Sequence, residues 1–222
     1  MNKFAYLVGV SILLLVWLLL FLKRPYRREM LVMSLIIAPL GITQFWYLKD
    51  YWEPKTLFGF SLGIENFLFS FGIGGIAAVI YEEFRGAKLI RTRRTPNWLV
   101  LGTGILLLIN FVGLIEFFGV NSMYATYTVF LLVVIFILMR RKDLLFDAIG
   151  SGVICGFVGF ILYLIYLPLF PGIVKEWWKL SNLSGILILG IPFEELLFAF
   201  GFGMVAGPFY EFWQGYRLKI AK

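Results

Sequence analysis

The sequence predicts an all-α, polytopic membrane helical bundle with about seven transmembrane helices, on three observations. Only 15% of its 222 residues are charged and 61% are hydrophobic, whereas a soluble domain carries roughly 25% charged residues. Apolar runs of about 20 residues, the length that crosses a bilayer core as a helix, recur along the whole chain, and the mean hydropathy is +0.89. The lysines and arginines gather in alternate connections between these runs, as the preference of basic residues for the cytoplasmic side requires.

The first run, Phe4–Leu22, has no small-residue cleavage site and leads into Lys23, Arg24, Arg27 and Arg28. It reads as a retained helix and not as a signal peptide. Later runs place helices over 30–48, 57–80, 98–118, 123–139, 144–169 and 184–208. The fourth and fifth are divided only by the mild connection Gly119–Ala125, so six helices is the competing count. With seven helices and an external amino terminus, segments 23–29, 81–97, 140–143 and the C-terminal tail lie inside and hold 15 of the 20 basic residues. Lys3, Lys49, Lys55, Lys175 and Lys179 lie outside. This bias gives an N-out, C-in orientation, and it explains the net charge of +7 without a nucleic-acid partner.

Composition also excludes chemistry. The chain has no histidine, which removes His-ligated haem, His-based zinc sites and Ser-His triads. Its single cysteine, Cys155, cannot form a disulfide within the chain. No metal site is expected.

Residues 65–86, ENFLFSFGIGGIAAVIYEEFRG, align without a gap on residues 194–215, EELLFAFGFGMVAGPFYEFWQG. At an offset of 129 they share 10 of 22 residues, including Glu65/Glu194, Gly72/Gly201, Gly74/Gly203, Tyr81/Tyr210, Glu82/Glu211 and Gly86/Gly215. Apolar composition alone matches Leu and Phe, but not two carboxylates, Tyr-Glu pairs and three glycines. Upstream, Lys49-Asp50-Tyr51-Trp52 parallels Lys175-Glu176-Trp177-Trp178. The expected organisation is a three-helix repeat over 1–97, a connecting helix over 98–122 and a second three-helix repeat over 123–222. The connecting helix restores the orientation that three helices invert, which gives a 3+1+3 parallel repeat.

Glu65 and Glu194 fall nine and ten residues into their expected helices, roughly 13–15 Å deep in a ~30 Å core. An ionised carboxylate there costs about 2.5–3.5 kcal/mol on insertion scales, and such residues generally face the protein interior and mark function. The alternative is a protonated Glu that braces a neighbouring helix. Glu195 and Asn66 stand beside them, and a carboxyl that holds its proton can deliver it to an apolar substrate. Pro192, two residues before Glu194, is expected to bend its helix and open room there. Phe67, Phe69, Phe71, Phe193, Phe198 and Phe200 flank the glutamates and are either packing bulk or faces that stabilise a cation. The glycines, including the GxxxG pair Gly203 and Gly207, read as packing positions. Tyr81-Glu82 and Tyr210-Glu211 read as anchors at the inner interface. Gln44, Asn110, Glu116 and Asp147 are further polar residues of the spans, without an assigned place.

Pro192-Phe193-Glu194-Glu195 followed by Leu-Leu-Phe resembles the PxE(E/D) signature of the heterodimer-type lycopene cyclase domain family. Asp50-Tyr51-Trp52 followed by Ile64-Glu65-Asn66-Phe67-Leu68-Phe69 is similar to the same region of that family's first domain. The resemblance implies two three-helix domains and cofactor-free cyclisation of a linear carotenoid end group. An acid protonates an alkene, a neighbouring double bond closes the ring on the cation, and a carboxylate removes a proton. On this resemblance Glu194 or Glu195 is the acid and Glu65 the partner base or second acid. Phe69, Phe198, Pro192 and Asn66 are the candidate substrate contacts. Gly63-Ile64-Glu65-Asn66 departs from the pattern, which has proline and a second acid there. Catalysis by the second half alone and a diverged chemistry both remain open.

The expected partners are an apolar isoprenoid or carotenoid and membrane lipid, with homo-oligomerisation left open. The expected location is a prokaryotic cytoplasmic membrane, from the loop charges and the lack of a targeting peptide. Competing functions are a noncatalytic scaffold or lipid-binding protein, a proton-coupled carrier and a carotenoid hydratase, in which water quenches the same cation. A retinal photoreceptor is excluded because the last helix has no lysine for a Schiff base.

Overall fold

Hydrocarbon offers no hydrogen bonds, so each apolar run must satisfy its own backbone, and a helix does so. In the computed structural model, which describes residues 3–85 and 87–220, the runs form α1 (Ala5–Phe21), α2 (Arg27–Ile37), α3 (Gln44–Asp50), α4 (Ile64–Arg85), α5 (Asn97–Glu116), α6 (Ser122–Arg140), α7 (Leu145–Tyr166), the short α8 (Ile173–Trp177) and α9 (Phe193–Gln214). A 3-10 stretch, Ala38–Thr43, joins α2 to α3, and Pro39 within it interrupts the α-helical bonding. Among the described residues, six spans are long and apolar enough to cross a membrane, the first being Arg27–Asp50; α1, with 17 residues, is a seventh, shorter apolar helix. The mild connection at Gly119–Ala125 does divide two helices, since α5 ends at Glu116 and α6 starts at Ser122 with the Asn121 side chain accepting from Met123 N at 2.9 Å. The protein is an all-α membrane bundle. Gly86 of the repeat and Lys222 of the basic tail lie outside the described residues.

Two expected helices begin later than their hydropathy suggested. α4 starts at Ile64 and not near 57, and α9 at Phe193 and not near 184. Glycines in the left-handed region break both starts: Gly59 has φ +72°, Gly185 +72° and Gly190 +86°. Before α9 the chain makes a small hairpin, with β2 (Leu187–Ile188) antiparallel to β3 (Ile191–Pro192). Its two turn residues, Leu189 (φ +50°) and Gly190, both have positive φ, as a tight type I′ hairpin turn demands. Pro192 therefore ends a strand instead of bending a helix; the proline inside α9 is Pro208.

The chain forms two compact units, residues 1–76 with 157–197 and residues 77–156 with 198–222. In the first, small residues let elements meet closely. A Cβ at Gly74 would lie 2.7 Å from Ile37, and one at Gly41 only 2.8 Å from the Asn66 backbone. Trp17 Nε1 donates to Ser34 Oγ at 2.9 Å.

In the second unit Val133, Ile137, Leu144 and Phe212 form a buried core. β1 (Ala87–Arg91) pairs antiparallel with β4 (Tyr216–Ile220), joining the segments that follow α4 and α9. Arg141 holds this end together, with its fork on Asp143 at 2.8 Å and Nη2 on Tyr216 O at 2.8 Å. Thr95 Oγ1 donates to Phe212 O at 2.6 Å. Glu82, Tyr210 and Glu211 are buried and Tyr81 is half-buried, so the two glutamates turn into the protein and not out to the interface. The Glu82 and Glu211 carboxyls lie within 4.8 Å of one another, and Asp147 accepts from Ser151 Oγ at 3.3 Å.

Gly203 carries a specific packing role, since a Cβ there would sit 2.6 Å from Ser151 O and 2.7 Å from Cys155 Cβ, while Gly104 has open space. Gly203→Ala is expected to cost about 1–3 kcal/mol through overpacking, read as a thermal midpoint several degrees lower in detergent. Gly104→Ala is expected to hold or slightly raise the midpoint, because alanine favours a helix by about 1 kcal/mol over glycine.

Candidate functional site

The late starts of α4 and α9 change where the glutamates stand. Glu65 lies in the first turn of α4, and Glu194 and Glu195 in the first turn of α9. They are at helix N-termini and not midway along helices, and a helix N-terminus favours a negative side chain through its unpaired N–H groups. Glu65 and Glu194 are 1% and 2% exposed, and each ties down the irregular segment before its helix. Glu65 Oε1 accepts from Leu57 N at 2.7 Å, and Glu194 Oε1 accepts from Ser184 N at 2.7 Å. Gly63 has glycine where the second half has Pro192 for a local reason: a Cβ there would strike the Glu65 carboxyl and come within 2.7 Å of Thr56 Cγ2.

The next residue in each helix turns to different company. Glu195 receives three donors, the Tyr51 hydroxyl, the Tyr163 hydroxyl at 2.6 Å and Trp178 Nε1 at 2.7 Å. In the first half the corresponding position is Asn66, whose Oδ1 accepts from the Tyr6 hydroxyl at 2.6 Å. Burial raises the Tyr51 hydroxyl well above its ordinary range, so Tyr51 stays a neutral donor at physiological pH.

An aromatic cluster fills the space among these groups. The Tyr6 ring lies edge-on to Trp52 at 5.3 Å and to Trp177 at 6.3 Å, and Trp52 lies 5.4 Å from Trp178. Trp52 Nε1 donates to Gln44 Oε1 at 3.0 Å. Trp52 and Trp178 also face one another in an isolated antiparallel bridge. Beside it Glu53 N donates to Trp177 O and Lys179 N to Tyr51 O, both at 2.8 Å. A shift of 126 residues turns each of these two bonds into the other.

Among the expected site residues, the first unit therefore brings together Glu65, Asn66, Glu194 and Glu195, with Pro192 at the hairpin end that leads into them. Phe69 is half-buried in the same unit. Phe198 belongs to the second unit, where its ring packs against Phe130 at 5.5 Å and Phe202 at 5.9 Å. Sequence reasoning missed Tyr6, Tyr163 and Gln44 as site residues. The Tyr51-Trp52 and Trp177-Trp178 pairs were visible as a loop match, but their link to Glu195 was not.

These bonds separate the three carboxylates. Removing a buried charge-assisted hydrogen bond costs about 1.5–3 kcal/mol. Glu65→Ala and Glu194→Ala are thus expected to speed amide hydrogen exchange at Leu57 and Ser184, respectively, by tenfold or more. Glu195→Gln is expected to leave both amides protected.

Residues 121–213 match the family model described as lycopene cyclase. No curated protein and no solved structure matches the chain.

Proposed function

We propose, from the lycopene cyclase family domain that residues 121–213 carry, that this membrane protein cyclises an end group of a linear carotenoid or related isoprenoid by cofactor-free acid–base chemistry. The observation that carries the proposal is the Glu195 carboxyl, set on three donors from Tyr51, Tyr163 and Trp178 inside a Tyr/Trp cluster. In this reading Glu195 gives its proton to the end-group alkene. The hydroxyls and the indole N–H are already aimed at the carboxylate this leaves, which is electrostatic preorganisation. The alkene carbon that does not take the proton becomes a tertiary cation, and the π electrons of a second double bond close a six-membered ring on it. Loss of a proton to a carboxylate restores neutrality, so electrons and atoms balance without a redox partner. The faces of Trp52, Trp177 and Trp178 suit the transient cation.

Glu194 and Glu65 take a different part, fixing the segments before α9 and α4. Those segments expose Phe58, Phe60, Ile186 and Leu189, which suits approach of a lipophilic substrate from the bilayer. The reciprocal backbone pairing around Trp52 and Trp178 supports an internal repeat, read as 3+1+3, and the basic residues of the alternate connections support an external amino terminus. Asn66, at the position of Glu195, lacks a transferable proton, so the reading assigns proton transfer to the second half.

The test is the pigment profile of bacteria that accumulate lycopene and express this chain. Wild type is expected to yield cyclic carotenoid, and Glu195→Gln to lose it by 100-fold or more, the scale of general acid–base catalysis. Tyr51→Phe and Tyr163→Phe are each expected to lower the yield about 10- to 100-fold, from one charge-assisted hydrogen bond. Unchanged lycopene with wild-type protein confirmed in the membrane would refute the cyclase reading.

A further inference from the structure

The first-half side of the aromatic cluster holds polar atoms that proton transfer by Glu195 does not use. Gln44, Asn66 and Trp177 are 5%, 2% and 2% exposed. Among the described residues Gln44 Nε2, Asn66 Nδ2 and Trp177 Nε1 meet no hydrogen-bond acceptor, and Glu65 Oε2 meets no donor. Gln44, Asn66 and Trp177 are neighbours through Tyr6 and Trp52. Tyr6 bonds Asn66 and lies against Trp177, and Trp52 bonds Gln44 and lies against Tyr6; the open Glu65 oxygen lies apart from them, against Gly63.

A buried donor left unpaired costs about 1–3 kcal/mol, and native interiors almost always supply a partner. Three such donors in one cluster share a single chemical complement, an oxygen that accepts N–H bonds. A hydrocarbon cannot supply it. A proton-transfer role cannot explain it either, because amide and indole N–H groups do not titrate in the working range.

We infer that Gln44, Asn66 and Trp177 form an oxygen subsite beside the hydrocarbon-binding cluster, occupied by a hydroxyl oxygen, either of an oxygenated isoprenoid end group or of a water molecule. The inference rests on the proposed function only for the apolar part of the ligand. Its consequence depends on the source of the oxygen. A substrate hydroxyl held there selects end groups already hydrated. A water held there can attack the tertiary cation: a C–O bond forms, the oxygen loses one proton to the carboxylate that Glu195 has become, and the net reaction adds water across the alkene with no change of oxidation level.

The experiment uses the full chain in lipid nanodiscs and two probes, a linear C40 polyene hydrocarbon and the same polyene with a tertiary hydroxyl at one end. Binding is read from quenching of tryptophan fluorescence by the polyene and needs no turnover. The hydroxylated probe is expected to bind about tenfold tighter, the worth of roughly one net hydrogen bond. Gln44→Met and Asn66→Leu are expected to reduce that preference below about twofold. If either variant fails to fold, Gln44→Glu and Asn66→Asp replace them, since they delete the N–H donor and keep the oxygen that accepts from Trp52 or Tyr6. Equal binding of both probes, with 18O from labelled water entering the product in wild type and not in the variants, assigns the subsite to water and supports it equally. Equal binding with no 18O incorporation, or a preference that the variants leave intact, overturns the subsite. The 18O result is read only where the pigment profile shows turnover, because it needs the cation that Glu195 forms; the binding preference needs no turnover and is independent of Glu195.

Discussion

A carboxylate carried by an apolar membrane helix is tolerable only where donors meet it, and the site-bearing unit is organised around that requirement. Glu65, Glu194 and Glu195 all occupy first turns, the one part of a helix with N–H groups to spare. Two of them extend the idea outward by accepting a backbone N–H of the segment before the helix. An irregular segment beside hydrocarbon is otherwise unfavourable, since its polar backbone lacks partners. The glutamates and the irregular segments therefore stabilise one another, and the third carboxyl, Glu195, is set against side-chain donors instead of backbone.

That division of labour follows from helix geometry. Residues 194 and 195 point roughly 100° apart on a helix, so one carboxyl reaches back to its hairpin while its neighbour reaches the Tyr51, Tyr163 and Trp178 donors. The first half repeats the arrangement with one chemical change: Glu65 still reaches its own segment, but Asn66 takes the place next to it and meets Tyr6. An amide keeps the acceptor that Tyr6 needs and adds an N–H. The same change that removes a proton donor thus supplies part of an oxygen subsite.

Much of this was legible in the sequence. Hydropathy located the apolar helices and the α5–α6 break, because a bilayer sets a minimum run length. The offset of 129 singled out the helices that carry Glu65 and Glu194. The helix starts were not legible, because 57–63 and 184–192 are as apolar as the helices they precede, and hydropathy does not register the backbone that Gly59, Gly185 and Gly190 impose. Glu65 and Glu194 consequently looked deep when they stand at helix ends. The Glu195 donors come from positions 51, 163 and 178, and only tertiary packing shows that Tyr163 and Tyr51 share one carboxyl. Glu82 and Glu211 looked like anchors because their helices seemed to end near them; α4 and α9 run on to Arg85 and Gln214, and both carboxyls are buried.

The central claim is that a protein carboxyl adds a proton to carbon and a carboxylate takes one away. The direct measurement is cyclisation of a linear carotenoid by the membrane-embedded protein in D2O, with the product analysed by mass spectrometry. The account predicts one deuterium per ring formed, fixed on carbon, with no cyclic product from Glu195→Gln. A ring formed in D2O without deuterium, or formed undiminished by Glu195→Gln, would contradict it.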